Sequence, residues 1–218
     1  MVKTVLVGVL ALQGAFVEHI QIMRALGADC REVRQASDWT TDLDGLIIPG
    51  GESTVISKLL CELGLLAGIR QSILTGRPVF GTCAGLILLA KEVIGQEMTT
   101  LSCMDISVVR NAYGRQLGSF YTRGRFAGHE NIPMTFIRAP YIEAVGDEVE
   151  ILSIIDGHIV AARQNNMLVT AFHPELSDHT LIHAYYLSMI EHQRIAENPR
   201  LPIRSPGPNL AGSGNRMK

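Results

Sequence analysis

The chain has 218 residues, 47% of them hydrophobic and 18% charged, with a net charge of -2 from 19 Lys and Arg against 21 Asp and Glu. Such a length supports a full core and favours one large domain over two small ones. The apolar runs are too short and too interrupted to span a bilayer. With no basic cluster among the ordered segments, nucleic acid and anionic membrane are poor partners, and a small neutral or zwitterionic molecule fits better.

The N-terminal stretch MVKTVLVGVLALQG carries an apolar run that Gln13 and Gly14 end without a small-residue cleavage pattern. It reads as a first strand, Thr4 to Leu10, and not as a targeting segment. A helix-period segment from Phe16 to Leu26, an apolar strand from Gly45 to Ile48, a second helix-period segment from Thr54 to Leu74 and a strand from Pro78 to Phe80 follow. Buried strands alternating with helices predict an α/β fold of three layers, a mostly parallel central sheet with helices on both faces. From Asp105 to Phe172 the runs become shorter and extended. In EVEILSIIDGHIVAARQ, Asp156-Gly157 stands between two alternating runs and signals a hairpin, so a small antiparallel extension is expected on the parallel core. Leu181, Ile182, Tyr185, Tyr186, Met189 and Ile190 share one face of a last helix, expected over Asp178 to His192. The segment from Asn198 onward, with Pro199, Pro202, Pro206 and Pro208, reads as disordered or extended. The expected organisation is one domain over 1–195 and a flexible tail over 196–218.

Four cysteines, Cys30, Cys61, Cys83 and Cys103, form no CxxC pair and no Cys/His spacing suited to zinc. Free thiols in a reducing cytoplasm are expected, with no metal and no cofactor. Cys83 differs from the others in its setting, GRPVFGTCAGLILLA, where it lies between Gly81 and Gly85 at the passage from an apolar strand to a helix-like run. That is the pattern of a nucleophile elbow: the turn lifts the sulfur out of the sheet edge, and the helix N-terminus behind it favours thiolate. The N–H of Ala84 would face a developing oxyanion.

A thiolate nucleophile needs a base and an orienting group. In AFHPEL, His173 and Glu175 stand two apart at the end of the apolar strand NMLVTAF, so in extended geometry both side chains point to one side. Glu175 then holds the imidazole that serves Cys83. The other histidines, His19, His129, His158, His179, His183 and His192, lie on helix or turn patterns and read as surface or satisfied groups. In LIIPGGEST, Gly50 and Gly51 let backbone approach a ligand and offer a second oxyanion donor, and Ser53 reads as the cap of a helix starting near Thr54. All three motifs follow strands, and ligands bind at the carboxyl ends of the strands in such sheets.

With these residues in place the sequence resembles the class I glutamine amidotransferases, and among them the family of glutaminase subunits of pyridoxal 5'-phosphate synthase. The narrower resemblance rests on GVLALQGAFVEH (Gly8 to His19), PGGEST (Pro49 to Thr54), GTCAGLILLAK (Gly81 to Lys91), RNAYGRQLGSF (Arg110 to Phe120), FIRAPYI (Phe136 to Ile142) and FHPEL (Phe172 to Leu176). It implies a flavodoxin-like fold and hydrolysis of L-glutamine to glutamate and ammonia through Cys83, His173 and Glu175. It implies that Gly51, Glu52, Ser53, Arg110, Ile137 and Arg138 bind glutamine, with Gly51 and Ala84 at the oxyanion. It further implies a partner, the synthase subunit, a barrel protein whose dodecameric core carries twelve glutaminase subunits and receives the ammonia. Gln13-Gly14 follows the first strand at the same sheet edge, and partner coupling is expected there. Two rivals are a cysteine α/β-hydrolase or peptidase and a non-catalytic regulatory subunit. In the hydrolases the acid precedes the histidine in the chain, whereas Glu175 follows His173; a regulatory subunit need not keep Cys83, His173 and Glu175.

Overall fold

A computed structural model of the chain describes residues 4–110 and 118–197. In chain order the elements are β1 (Leu6–Leu10), α1 (Phe16–Ala25), β2 (Asp29–Val33), β3 (Gly45–Ile48), α2 (Ser53–Glu62), α3 (Leu66–Leu74), β4 (Val79–Thr82), α4 (Ala84–Leu89), β5 (Ala90–Val93), β6 (Met104–Val109), β7 (Ser119–Phe126), β8 (His129–Ile137), β9 (Tyr141–Val145), β10 (Glu150–Ile155), β11 (His158–Gln164), β12 (Met167–Thr170) and α5 (Leu181–Glu197). The main sheet runs β2-β1-β3-β4-β12-β11-β9-β6-β5, with β10 added on β11, while β7 and β8 form a separate two-stranded ribbon.

The pairings from β2 to β12 along this path are parallel, and those of β11 with β12, β9 and β10 are antiparallel. This is the expected α/β fold with its antiparallel extension. Its logic is visible in the strands: β3, β4 and β12 are buried at every residue, as strands covered on both faces must be, while β7 alternates between exposed and partly covered positions. Strand alternation also separates the layers. A Cβ on Gly45 would point at Tyr186 and Ile190 of α5, whereas the Ile48 side chain, three residues on and on the other face, lies against Gly85 of α4. Helix α1 packs with α5, and α2 with α4. No helix among the described residues is long and apolar enough to cross a membrane.

Several expectations change in detail. The helix-period segment Thr54 to Leu74 is two helices, broken where Gly64 takes φ 67°, a left-handed angle that ends a helix. Helix α5 begins at Leu181 and runs to Glu197, later at both ends than the apolar spacing predicts. Of its expected buried face, Leu181 and Tyr185 are only partly covered, and His183 and Leu187 join the buried set. The Asp156-Gly157 hairpin forms between β10 and β11, with positive φ at both turn residues. Residues 111–117 of the Arg110 to Phe120 motif, and the tail from Asn198 on, lie outside the described residues.

Candidate active site

Strand β4 ends at Thr82 and α4 starts at Ala84, so the whole turn is one residue, Cys83, with φ 47° and ψ -96°. A residue with a side chain pays of order 1–3 kcal/mol for such a backbone, and surrounding structure must hold it there. Here the Cys83 N–H donates to the Thr170 carbonyl of β12 at 2.8 Å. The flanking glycines are steric requirements: a Cβ on Gly85 would lie 2.1 Å from the Ile48 carbonyl oxygen, and one on Gly81 would lie 2.6 Å from the Gly85 carbonyl carbon. The helix can therefore cross the strand ends closely enough to present Cys83. The residue is 7% exposed, and its thiol faces the Ile137 carbonyl at 3.9 Å. Ala84 is the first residue of α4, where backbone N–H groups have no acceptor inside the helix.

His173 follows β12 and is tied to the ribbon by its N–H, which donates to the Thr135 carbonyl of β8 at 2.8 Å. Pro174 to Leu176 form a 3-10 turn, so the extended geometry expected for this segment is not what pairs the two side chains. The turn does it instead, bringing His173 Nδ1 within 2.7 Å of Glu175 Oε1. The ring lies over Gly50, where a Cβ would meet its Cε1 at 2.3 Å. Burial works against a charge on His173, but hydrogen bonds with Cys83 and with Glu175 outweigh it and push its pKa up to about 10. Burial likewise opposes ionisation of Glu175, yet nearby His19 and the His173 hydrogen bond hold its carboxyl below the usual range. The elbow thus brings the sulfur and the His173 ring to one pocket, with the Glu175 carboxylate held on the ring.

A pocket of about 170 Å³ opens on the sulfur, lined by Gln13, Gly51, Glu52, Ser53, Cys83, Ile87, Arg110, Ile137, Arg138 and His173. A hollow of that size suits an amino-acid-sized ligand. A wider hollow of 490 Å³ at Lys91 to Thr99 is an open surface depression lined by no cysteine or histidine. Every residue expected at the substrate lines the first pocket, and of the two oxyanion positions Gly51 does too. The Gly50 N–H is engaged, donating to Thr82 Oγ1 at 2.9 Å. Ser53 is not the helix cap: Glu52 holds that position, and Ser53 Oγ is buried with no hydrogen-bond partner among the described residues. Arg110 pairs with Glu52 at 3.2 Å and with Gln96, and its buried Nε is left unpartnered among the described residues. Arg138 sits at φ 44° past the end of β8.

The chain matches the SNO glutamine amidotransferase family over residues 9–192. It belongs to that family. It is 58% identical over 184 residues to a pyridoxal 5'-phosphate synthase subunit PdxT of Methanocorpusculum labreanum, covering 84% of this chain and 97% of that one. It is 54% identical over 191 residues to the PdxT subunit of Streptococcus pneumoniae strain CGSP14, covering 86% of this chain and 98% of the relative. A solved glutamine amidotransferase superposes with a TM-score of 0.80 at 41% identity, over 84% of this chain and 98% of that one.

Around the residues expected at the substrate the pocket has further neighbours, of which Gln13 was expected at this sheet edge only for partner coupling. Gln13 reaches in from the loop after β1, its Oε1 accepting from the Glu52 N–H at 2.6 Å. Thr82 ties the glycine loop to the elbow. His19 and His183 are wholly buried behind Glu175 and joined to one another at 2.9 Å, with His183 Nδ1 left without a partner among the described residues. A histidine beside Ile20 and Met23 on the buried face of α1 is the sequence signal for His19. His129 and His158 open strands β8 and β11, so they do not lie on the expected helix or turn patterns; each stands at the inner edge of a tight hairpin, where turn and strand signals overlap.

Proposed function

We propose that the chain is the glutaminase subunit of a pyridoxal 5'-phosphate synthase, hydrolysing L-glutamine to L-glutamate and ammonia. The observation that carries this reading is Cys83 on its strained elbow and a His173 that Glu175 holds at 2.7 Å, both lining one pocket sized for an amino acid. Family membership and the two PdxT relatives support the reaction and the pathway.

Arg110, the Ile137-Arg138 pair, Gly51, Glu52 and Ser53 hold glutamine with its side-chain amide at the sulfur. A guanidinium takes the substrate carboxylate, and Ser53 Oγ, without a partner among the described residues, accepts from or donates to the bound amino acid. Cys83 Sγ attacks the amide carbon, and the oxygen that becomes negative is met by the N–H groups of Ala84 and Gly51. His173 gives its proton to the departing nitrogen, leaving a thioester and ammonia. The same ring then takes a proton from water, which attacks the thioester. Collapse returns the thiolate and releases glutamate. Ammonia passes to the synthase subunit, read by resemblance as a dodecameric barrel core carrying twelve glutaminase subunits in the cytoplasm. Partner coupling is placed at Gln13, whose contact with the Glu52 N–H reaches the oxyanion loop.

Glutamate formation from glutamine by the chain mixed with its synthase subunit tests this reading. Wild type is expected to turn over, Cys83→Ala to fall to background, and Gln13→Ala to lose most of the stimulation by the partner. Turnover that survives Cys83→Ala defeats the mechanism, absence of turnover in the wild-type mixture favours a regulatory subunit, and full stimulation in Gln13→Ala removes the coupling role.

A further inference from the structure

Behind the pocket, Glu175 is wholly buried, and only one of its oxygens is accounted for. Oε1 accepts from His173; Oε2 has no hydrogen bond of ordinary length among the described residues. A buried anionic oxygen without a donor costs more than almost any other unmet polar group. His19 Nε2, on α1, lies 3.4 Å from it and 3.3 Å from Thr82 Oγ1, and the other ring nitrogen, Nδ1, lies 2.9 Å from Nε2 of His183 on α5. Neither histidine is exposed.

We propose that His19 is a positioning residue for the Cys83 site, its Nε2–H steadying the second carboxylate oxygen of Glu175 while His183 fixes which ring nitrogen of His19 carries the proton. The inference rests on the reading of Cys83, His173 and Glu175 as a catalytic triad. The proton placement follows from the contacts. Were His19 Nε2 bare, its lone pair would face a carboxylate lone pair across 3.4 Å. With the proton on Nε2, the N–H is shared between Glu175 and Thr82, and Nδ1 accepts from His183 Nε2–H. His183 Nδ1 is then a bare acceptor, and it is the ring nitrogen with no partner among the described residues. An unmet buried acceptor is more tolerable than an unmet buried N–H. Burial is the main cause that lowers the pKa of both rings, for His19 against the pull of Glu175 and with help from His173. Glu18 on the same helix is the remaining charged group acting on His19. The line His183–His19–Glu175–His173–Cys83 thereby ties α5 and α1 to the sulfur. With both oxygens engaged, the carboxylate plane is fixed, and so is the plane of the ring it orients.

The test is steady-state glutamine hydrolysis by the full chain with its synthase subunit, measured across pH for wild type, His19→Phe, His19→Gln, His19→Asn, Glu175→Gln and Cys83→Ala. His19→Phe is expected to lower kcat about 10–100-fold, the range seen when outer partners of functional side chains are removed, with KM little changed. The acid limb of kcat/KM is expected to move to higher pH, because a buried carboxylate deprived of a donor keeps its proton to higher pH. His19→Gln, whose side-chain N–H can replace Nε2–H, is expected to recover most of both losses. His19→Asn, too short to reach Glu175, decides the matter if the Phe variant does not fold: it should behave as His19→Phe was expected to. A folded His19→Phe or His19→Asn with wild-type kcat and an unmoved acid limb overturns the proposal. Failure of the triad reading looks different, since Cys83→Ala or Glu175→Gln would then keep turnover.

Discussion

At the scale of single residues, backbone geometry decides the chemistry more than side-chain identity does. Cys83 is set apart by position: one residue of left-handed backbone separates a strand from a helix, and Gly81 and Gly85 on either side have no room for a Cβ. The glycine spacing made that much legible, because an elbow has a fixed offset between nucleophile and glycines. Gly85→Ala tests it. The atom it would strike is the backbone oxygen of Ile48, which cannot swing aside as a side chain can. The substitution should cost about 1–3 kcal/mol in urea unfolding, as overpacking does, and should slow alkylation of Cys83 in the fraction that remains folded. Unchanged stability and alkylation would mean that the elbow tolerates a wider crossing than it shows. Ser53 illustrates the opposite outcome. Serine before a helical run signals a cap, but the helix starts one residue earlier, and the hydroxyl is left buried beside the Cys83 pocket with no partner among the described residues.

At the scale of elements, apolar strands and amphipathic helices were legible, and edges were not. Strand β3 runs over the four residues the apolar run marks. Strand β2, DCREV, gives no apolar run because it is the outermost strand of its side of the sheet, with Asp29 and Glu32 exposed. The paired side chains of His173 and Glu175 were anticipated through an extended segment and are delivered by a 3-10 turn, since Pro174 at its first position favours a tight turn over continued strand. Helix α5 has a role that its spacing does not reveal. The Tyr186 hydroxyl, wholly buried, donates toward the carbonyls of Leu46 at 2.9 Å and Pro78 at 3.2 Å, stitching the helix to β3 and the start of β4. Tyr186→Phe should therefore lower unfolding stability by about 1–3 kcal/mol while leaving glutamine turnover at 25 °C unchanged. A loss of turnover without a loss of stability would place α5 in the chemistry by a route other than packing.

At the scale of the whole molecule, the site joins two halves of the chain that sequence patterns describe separately. The parallel half brings Gly51, Glu52, Ser53 and Cys83 to the strand ends, and β12 returns from the antiparallel half to carry His173 and Glu175 beside them. The ribbon of β7 and β8 then leans on the turn after β12, placing Ile137 and Arg138 over the sulfur. Motif order in the chain points to the first convergence, because parallel strands share a carboxyl edge. The second depends on long-range packing of a ribbon outside the main sheet, which no local pattern encodes. On the proposed reading, this convergence makes Cys83 the nucleophile toward glutamine. The direct measurement is peptide mass spectrometry after exposing the chain, with its synthase subunit, to a glutamine analogue carrying a diazoketone in place of the side-chain amide, which traps an attacking thiolate as a stable thioether. The prediction is a single label on Cys83, suppressed by excess glutamine and lost in His173→Ala; no label, or a label on Cys30, Cys61 or Cys103 with Cys83 untouched, would contradict it.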